Sequence, residues 1–328
     1  MLKKRKLGNS GMEVYPLAFG GNVFGWTVDE AMSFKLLDGF VAAGFNLIDT
    51  ADSYSKWAPG NKGGESETII GNWLKQRENR EKVIIATKVG SELGPDQKGL
   101  SKAYILRAAE DSLRRLQTDY IDLYQSHFDD PDTPLEETLE AYAQLKRQGK
   151  IRAVGASNYS AERLALALQA GQTHGYPVYR SLQPLYNLYD RADFEKELEP
   201  LCREKGLGVI TYFSLASGFL TGKYRSQADV SKSARDRFVE KYLTPRGFRI
   251  LDALTQVAAE QQVPPATVAL AWLISRPTVT APIASATNPE QLKALIKATA
   301  LELDPSALER LSQASSYNGK GEPDPASG

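Results

Sequence analysis

The sequence predicts an α/β fold, a single (β/α)8 TIM barrel running through residues 1–328. Long loops are expected at its C-terminal face, with an extra C-terminal helix. Three observations carry this reading. Short apolar runs alternate with amphipathic segments along the whole chain, as in a parallel sheet covered by helices. Eight such runs are present, the number that closes a barrel. No linker or break in composition divides the 328 residues into two units.

In chain order, residues 17–20 (LAFG) read as the first strand and 29–43 as its helix. Strand 45–49 precedes helix 65–76, and strand 83–88 (VIIATK) precedes helix 101–116, for which Ser101 is a natural N-cap. Strand 121–127 is followed by helix 135–148, with Gly149 as a stop signal. Then come strand 151–157 (IRAVGAS) with helix 160–170, and strand 180–183 with helix 194–205. Strand 208–212 (GVITY) leads into a long irregular stretch, then helices 248–261 and 266–275. Strand 280–284 and helix 289–298 complete the pattern. Two polar segments stand outside it: 55–64 (SKWAPGNKGG) and the basic stretch 224–246. Loops of that length are usually functional, and in a barrel both follow strands at the active face. Residues 316–328 read as a flexible tail.

Composition excludes several classes. Lys+Arg 40 balances Asp+Glu 40, which leaves no basic footprint for nucleic acid or an anionic membrane. There is no apolar run long enough for a membrane span, and no apolar core behind the basic residues of the first segment to suggest a signal peptide. One cysteine, Cys202, rules out an internal disulfide framework and suits a reducing, cytoplasmic setting. Two histidines and the absence of ligand spacing speak against a metal site. No G-x-G-x-x-G follows a strand, so a Rossmann site is not expected. Nothing in the composition fixes the oligomeric state.

Polar residues stand at the ends of successive predicted strands: Asp49, Lys88, His127, Ser157 with Asn158, Gln183 and Tyr212. Singly, each has a plain structural alternative as a cap, a solvated charge or a satisfied buried group. Together they face one mouth, because parallel barrel strands all end on the same side.

The chain resembles the aldo-keto reductases, in the bacterial branch related to potassium-channel β-subunits. The matching stretches are FNLIDTADSY (45–54), ESETIIGNWL (65–74), IIATKVG (84–90), RRLQTDYIDLYQSH (114–127) and GKIRAVGASNYS (149–160). LQPLYNLYDR (182–191), GVITYFSLASGFLTGKY (208–224) and APIASATNPEQL (281–292) extend the likeness. It runs from residue 7 to about residue 303. The resemblance implies a nicotinamide-dependent barrel enzyme that transfers hydride to an aldehyde or ketone, or a dehydrogenase working in reverse. A cofactor-binding partner subunit is the alternative from outside enzymology.

By the same resemblance, Asp49, Tyr54, Lys88 and His127 form a catalytic tetrad, with Tyr54 as proton donor. A free phenol has a pKa of ~10, and a cation beside it is expected to lower that value. Asp49 would pair with Lys88, and His127 would orient the substrate carbonyl. Ser157, Asn158 and Gln183 correspond to residues that hold the nicotinamide carboxamide, and Tyr212 to the aromatic beneath the ring. Ser214, Leu215, Gly218, Lys223 and Arg225 correspond to the pyrophosphate region. Ser285, Thr287 and Gln291 correspond to the adenosine end. The chain departs from the family there, since no Arg or Lys meets a 2′-phosphate and Leu295 stands where Asn is common. NADPH is expected by family habit, with NADH possible, and Lys232, Arg235 or Arg237 are candidates for the missing cation. Val23, Phe24, Trp57 and Phe128, with Trp26 nearby, are expected to form an aromatic substrate rim.

Overall fold

The computed structural model describes residues 3–226, 228, 229 and 238–317. A short antiparallel hairpin comes first, β1 (Arg5–Lys6) and β2 (Glu13–Val14). Then strands and helices alternate: β3 (Ala18–Gly20), α1 (Glu30–Ala42), β4 (Leu47–Asp49), α2 (Glu65–Arg77), β5 (Ile84–Val89) and α3 (Lys102–Leu116). β6 (Ile121–Ser126), α4 (Leu135–Arg147), β7 (Ile151–Ser157), α5 (Ala161–His174) and β8 (Ser181–Gln183) follow. A π-helical turn (Phe194–Leu198) runs into α6 (Glu199–Lys205), and β9 (Gly208–Thr211) comes next. The chain then forms α7 (Pro245–Glu260), α8 (Pro265–Ser275), β10 (Val279–Ala284), α9 (Pro289–Ala298) and α10 (Pro305–Ala314).

Strands β3 to β10 pair in parallel in the cyclic order β10-β3-β4-β5-β6-β7-β8-β9, a closed barrel. All eight expected strands are present, shifted by at most two residues at either end. The helices start where capping chemistry directs. Asp29 accepts from the Met32 amide (2.8 Å), Ser160 from Arg163 (3.2 Å) and Asn288 from Gln291 (2.9 Å). Helix α7 begins earlier than its apolar period suggests, because Thr244 accepts from the Gly247 amide (3.0 Å) and Pro245 takes the first turn. Residues 245 and 246, expected in a loop, are therefore helical.

Two apolar cores result. One lies between the barrel wall and the helices, with Phe19, Phe40, Trp73, Tyr142 and Trp272 fully buried in it. The other fills the barrel and is built from Ala18, Leu47, Ala86, Leu123, Ile210 and Ala281. Leu7 and Val14 belong to this inner core, so the hairpin stoppers the N-terminal end of the barrel. Gly8 makes that possible: it has φ 52°, and a Cβ there would lie 2.3 Å from the Arg180 carbonyl oxygen. The C-terminal end is left for polar groups. Ser316 and Tyr317, expected in the tail, are held: Arg246 Nε donates to the Ser316 carbonyl (3.1 Å) and Tyr317 Oη to Glu195 Oε2 (2.8 Å). The rest of the expected tail, 318–328, lies outside the described residues.

Candidate active site

The β4 strand ends at Asp49, and the loop after it carries Tyr54 back across the mouth. The loop is tied down along its length. Thr50 Oγ1 lies 2.8 Å from Ser66 Oγ at the start of α2, and Ser66 Oγ in turn reaches the Gly21 carbonyl (2.8 Å). Ser55 has φ 70° and donates to the Phe24 carbonyl (2.6 Å). Asn61 Nδ2 donates to the Ser55 (2.9 Å) and Gly25 (2.8 Å) carbonyls. None of these supports is visible in the sequence as more than a loop-forming residue.

Lys88 is fully buried, and its ammonium meets three acceptors at 2.8 Å: Asp49 Oδ2, the Thr50 carbonyl and Tyr54 Oη. Tyr54 Oη donates in turn to Asp49 Oδ2 (3.2 Å). The three side chains thus form a closed triangle at the floor of the mouth. His127 follows β6, with its ring 6.0 Å from that of Tyr54 and its Nδ1 buried without a partner among the described residues.

The electrostatics differ from the sequence expectation in one respect. Lys88 was expected to lower the Tyr54 phenol; instead the phenol is held well above its ordinary value. Burial is the largest cause, and the Asp49 carboxylate, by charge and by hydrogen bond, adds to it. Lys88 itself is pushed down by burial, against the pull of Asp49. Burial and then the Lys88 charge hold the His127 imidazole well below its ordinary range. The site therefore offers a protonated phenol able to give up its proton and a neutral imidazole able to orient a partner by hydrogen bonding.

The strand-end residues continue the network. Gln183 Nε2 donates to Asp49 Oδ1 (2.8 Å), Ser157 Oγ to the Gln183 carbonyl (2.8 Å), and Asn158 Nδ2 to the His127 carbonyl (2.8 Å). Tyr212 Oη donates to Asn158 Oδ1 (2.7 Å). All of the sequence-selected strand-end residues therefore come together at one mouth.

Past β9 the chain turns through four residues of positive φ: Phe213 (50°), Ala216 (49°), Ser217 (57°) and Gly218 (97°). Left-handed turns of this kind direct backbone N–H groups into an anion-binding concavity. In this turn Ser214 is buried and Leu215 half-buried, the Ala216 and Gly218 amides donate to the Phe213 and Leu215 carbonyls (2.7 and 2.8 Å), and Ser217 Oγ is buried without a partner among the described residues. That orphaned donor and the backbone turn fit a phosphate-bearing cofactor, and the amide-lined mouth fits its carboxamide end. Lys223 is exposed, with its ammonium 4.7 Å from the Tyr224 ring centroid. Arg225 is a correction: its guanidinium is taken up by Asp252 (3.1 Å) and Thr255 (2.7 Å) on α7, so it is not free for the concavity.

On the neighbouring strand, just past β10, Ser285 Oγ lies 2.8 Å from the Gly20 carbonyl and 2.6 Å from Asn22 Oδ1. The Thr287 amide and hydroxyl both donate to Gln291 Oε1 (2.8 and 3.0 Å) at the start of α9. Lys293 points to Glu290 (2.8 Å) on the exposed side. Lys232, Arg235 and Arg237 lie outside the described residues.

The aromatic rim is half of what the sequence suggested. Trp57 and Phe128 are 42% and 45% exposed, the Trp57 ring 6.1 Å from Tyr54 and the Phe128 ring 4.8 Å from His127. Trp26 packs edge-on to Trp57 at 5.6 Å. Val23 and Phe24 are a second correction. Both are fully buried, because residues 21–23 turn inward as a single 3-10 turn and Phe24 stacks on Phe19 at 5.4 Å. They support the rim and do not line it.

Comparison with known proteins agrees with the barrel fold. The model of the Aldo/keto reductase family matches residues 16–316. The uncharacterized oxidoreductase YrpG of Bacillus subtilis is 37% identical, over 93% of this chain and 93% of its own. The aldo-keto reductase YhdN of the same organism is 34% identical, over 88% and 84%. A probable voltage-gated potassium channel subunit beta of Arabidopsis thaliana is 32% identical, over 95% and 96%.

Proposed function

The chain belongs to the aldo/keto reductase family, a family of oxidoreductases, and from that premise we propose that it reduces an aldehyde or ketone with NADPH or NADH. The observation that carries the reading is the Asp49–Lys88–Tyr54 triangle, with each partner 2.8–3.2 Å from the next at the floor of an aromatic-rimmed mouth. The reduced nicotinamide, when bound, supplies the hydride. The chain's own residues do the rest. Tyr54 Oη holds the proton that the carbonyl oxygen takes as negative charge builds on it. Lys88 donates to the same phenolic oxygen, and so stabilises the phenolate that proton transfer leaves behind. Asp49 offsets the buried ammonium and fixes its direction. Neutral His127 orients the carbonyl.

Ser157, Asn158 and Gln183 would hold the carboxamide, Tyr212 the ring face, and the concavity of Ser214, Leu215 and Gly218 the pyrophosphate. Ser285, Thr287 and Gln291 would meet the adenosine end. Hydroxyls and an amide, with no cation among the described residues of that segment, would serve a ribose hydroxyl as readily as a 2′-phosphate. Exposed Trp57 and Phe128 favour carbonyl compounds with an apolar or aromatic body.

The test is steady-state oxidation of NADPH and of NADH with 4-nitrobenzaldehyde and methylglyoxal, with Tyr54→Phe as control. Turnover that depends on Tyr54 is the expected result, and it ranks the two nucleotides at once. Cofactor binding without turnover in either direction would replace the reductase reading with that of a cofactor-binding subunit.

A further inference from the structure

The backbone that carries His127 is pinned on both sides. Its amide donates to the Val89 carbonyl (2.8 Å), and its carbonyl accepts from Asn158 Nδ2 (2.8 Å). Just before it, Ser126 Oγ lies 2.8 Å from Tyr142 Oη and 2.7 Å from Tyr179 Oη, which ties the end of β6 to the outer layer. The imidazole has no comparable anchor. The plane and tautomer of a working imidazole are ordinarily set by a hydrogen bond at its second nitrogen. Here Nδ1 is buried without a partner among the described residues. Rotation of the ring is then limited by what packs against it.

Two aromatic rings do so. Tyr54 meets the imidazole edge-on, with 6.0 Å between centroids and 70° between planes. Phe128 lies nearly parallel to it, at 4.8 Å and 16°. The two contacts constrain the imidazole differently. An edge contact at 6.0 Å leaves a ring room to turn about its own bonds. A stacked face does not, because a turn out of parallel drives one edge of the imidazole into the phenyl. Phe128 is exposed, so it is not there to fill the core. The His127 stack is its one ring contact among the described residues.

We propose that Phe128 is a positioning residue for the reaction: its ring face, in place of a hydrogen bond at Nδ1, sets the plane in which His127 meets the substrate carbonyl. This rests on the function proposed above. It is separate from any contact between Phe128 and the body of the substrate.

The experiment is a double-mutant cycle on kcat with methylglyoxal, a substrate that has no ring to stack. It is read beside the His127 ring resonances, assigned in the His174→Gln protein. Phe128→Leu keeps apolar bulk and loses the flat face. It is expected to lower kcat about fivefold, the scale of one aromatic pair, and to leave KM within about twofold. The His127 ring protons should move downfield as the shielding of a stacked phenyl is lost. Phe128→Tyr keeps the face and should keep both wild-type values. In a His127→Gln background, Phe128→Leu should lower kcat no further. A fivefold loss that persists there would mean that Phe128 acts on the substrate directly, and overturns the proposal. Ring resonances unmoved by Phe128→Leu overturn it whatever the kinetics. Should that variant not fold, the wild type alone decides: absence of magnetisation transfer between the His127 and Phe128 ring protons overturns the stack. Both spectroscopic failures leave the proposed function standing. Wild type without turnover of any carbonyl compound overturns that function and this inference with it.

Discussion

Lys88 Nζ lies 2.8 Å from Tyr54 Oη inside the protein, and yet the phenol is held above its ordinary value, not below it. Burial first, and then the Asp49 carboxylate, hold it there. The resting site is thus charged with a proton. Lysine matters most after that proton has left, when phenolate and ammonium face each other with little water between them.

Tyr54→Phe and Lys88→Met are therefore expected to lower kcat for carbonyl reduction by about 10²- to 10⁴-fold, the usual worth of a positioned acid. Both should leave cofactor affinity within about threefold. The wild-type reductive rate should stay flat from about pH 7 to about pH 9, because a raised phenol keeps its proton there. A rate that declines across that window would mean Lys88 does lower the phenol in the working enzyme.

His127 should be uncharged at neutral pH. Burial and Lys88 both lower its pKa, so the unfolded chain takes up the proton first. Its contribution to stability is whole above about pH 6.5 and is lost as pH falls toward the folded value. Proton NMR is decisive, since the chain has only two histidines and His174→Gln assigns the remaining ring. The His127 ring shifts should stay constant from about pH 8 to about pH 6. A titration centred near the ordinary value would remove the neutral-donor role.

Much of this site was legible because parallel strands announce themselves as apolar runs and the polar residue closing each run faces the mouth. Asp49, Lys88, Ser157 and Gln183 were found that way. Val23 and Phe24 were misplaced because a loop sequence does not say which side of a 3-10 turn faces the core. The Tyr54 shift was misjudged for a related reason: proximity to Lys88 can be inferred from the sequence motif, whereas the depth of burial comes only with packing. Strands of two residues, as in the hairpin of Arg5–Lys6 and Glu13–Val14, leave no period to detect.

Nucleotide choice should respond to Thr287. Its hydroxyl and amide are bound to Gln291, and no cation lies beside them among the described residues of the segment. Thr287→Arg would place a guanidinium at the start of α9, where a 2′-phosphate would sit. The ratio of kcat/KM for NADPH over NADH is expected to rise about tenfold, consistent with one charge-assisted pair. An unchanged ratio, with both rates intact, would locate the adenosine end elsewhere.

Asp52 offers a test of the interior charge balance on which the site depends. It lies between Asp49 and Tyr54 in sequence, is 1% exposed, and neither carboxyl oxygen has a hydrogen-bond partner among the described residues. Burial first, and then the nearby Glu67 carboxylate, hold its pKa well above the ordinary value, against the charges of Arg115 and Lys88. Folded, it keeps its proton to a higher pH than the unfolded chain, in which it ionises near pH ~4. Its native state therefore keeps a proton that the unfolded chain gives up. The stability tied to that proton is whole below about pH 4 and is lost as pH rises toward the folded value. Asparagine has the same outline and never ionises. Asp52→Asn should consequently gain on wild type by about 1.4 kcal/mol per pH unit over that range, whatever constant offset its amide introduces. Urea unfolding of both proteins at about pH 5, 6 and 7 reads the slope directly. A gap that does not widen with pH would mean that Asp52 is ionised in the fold, and that Lys88 answers two carboxylates instead of one.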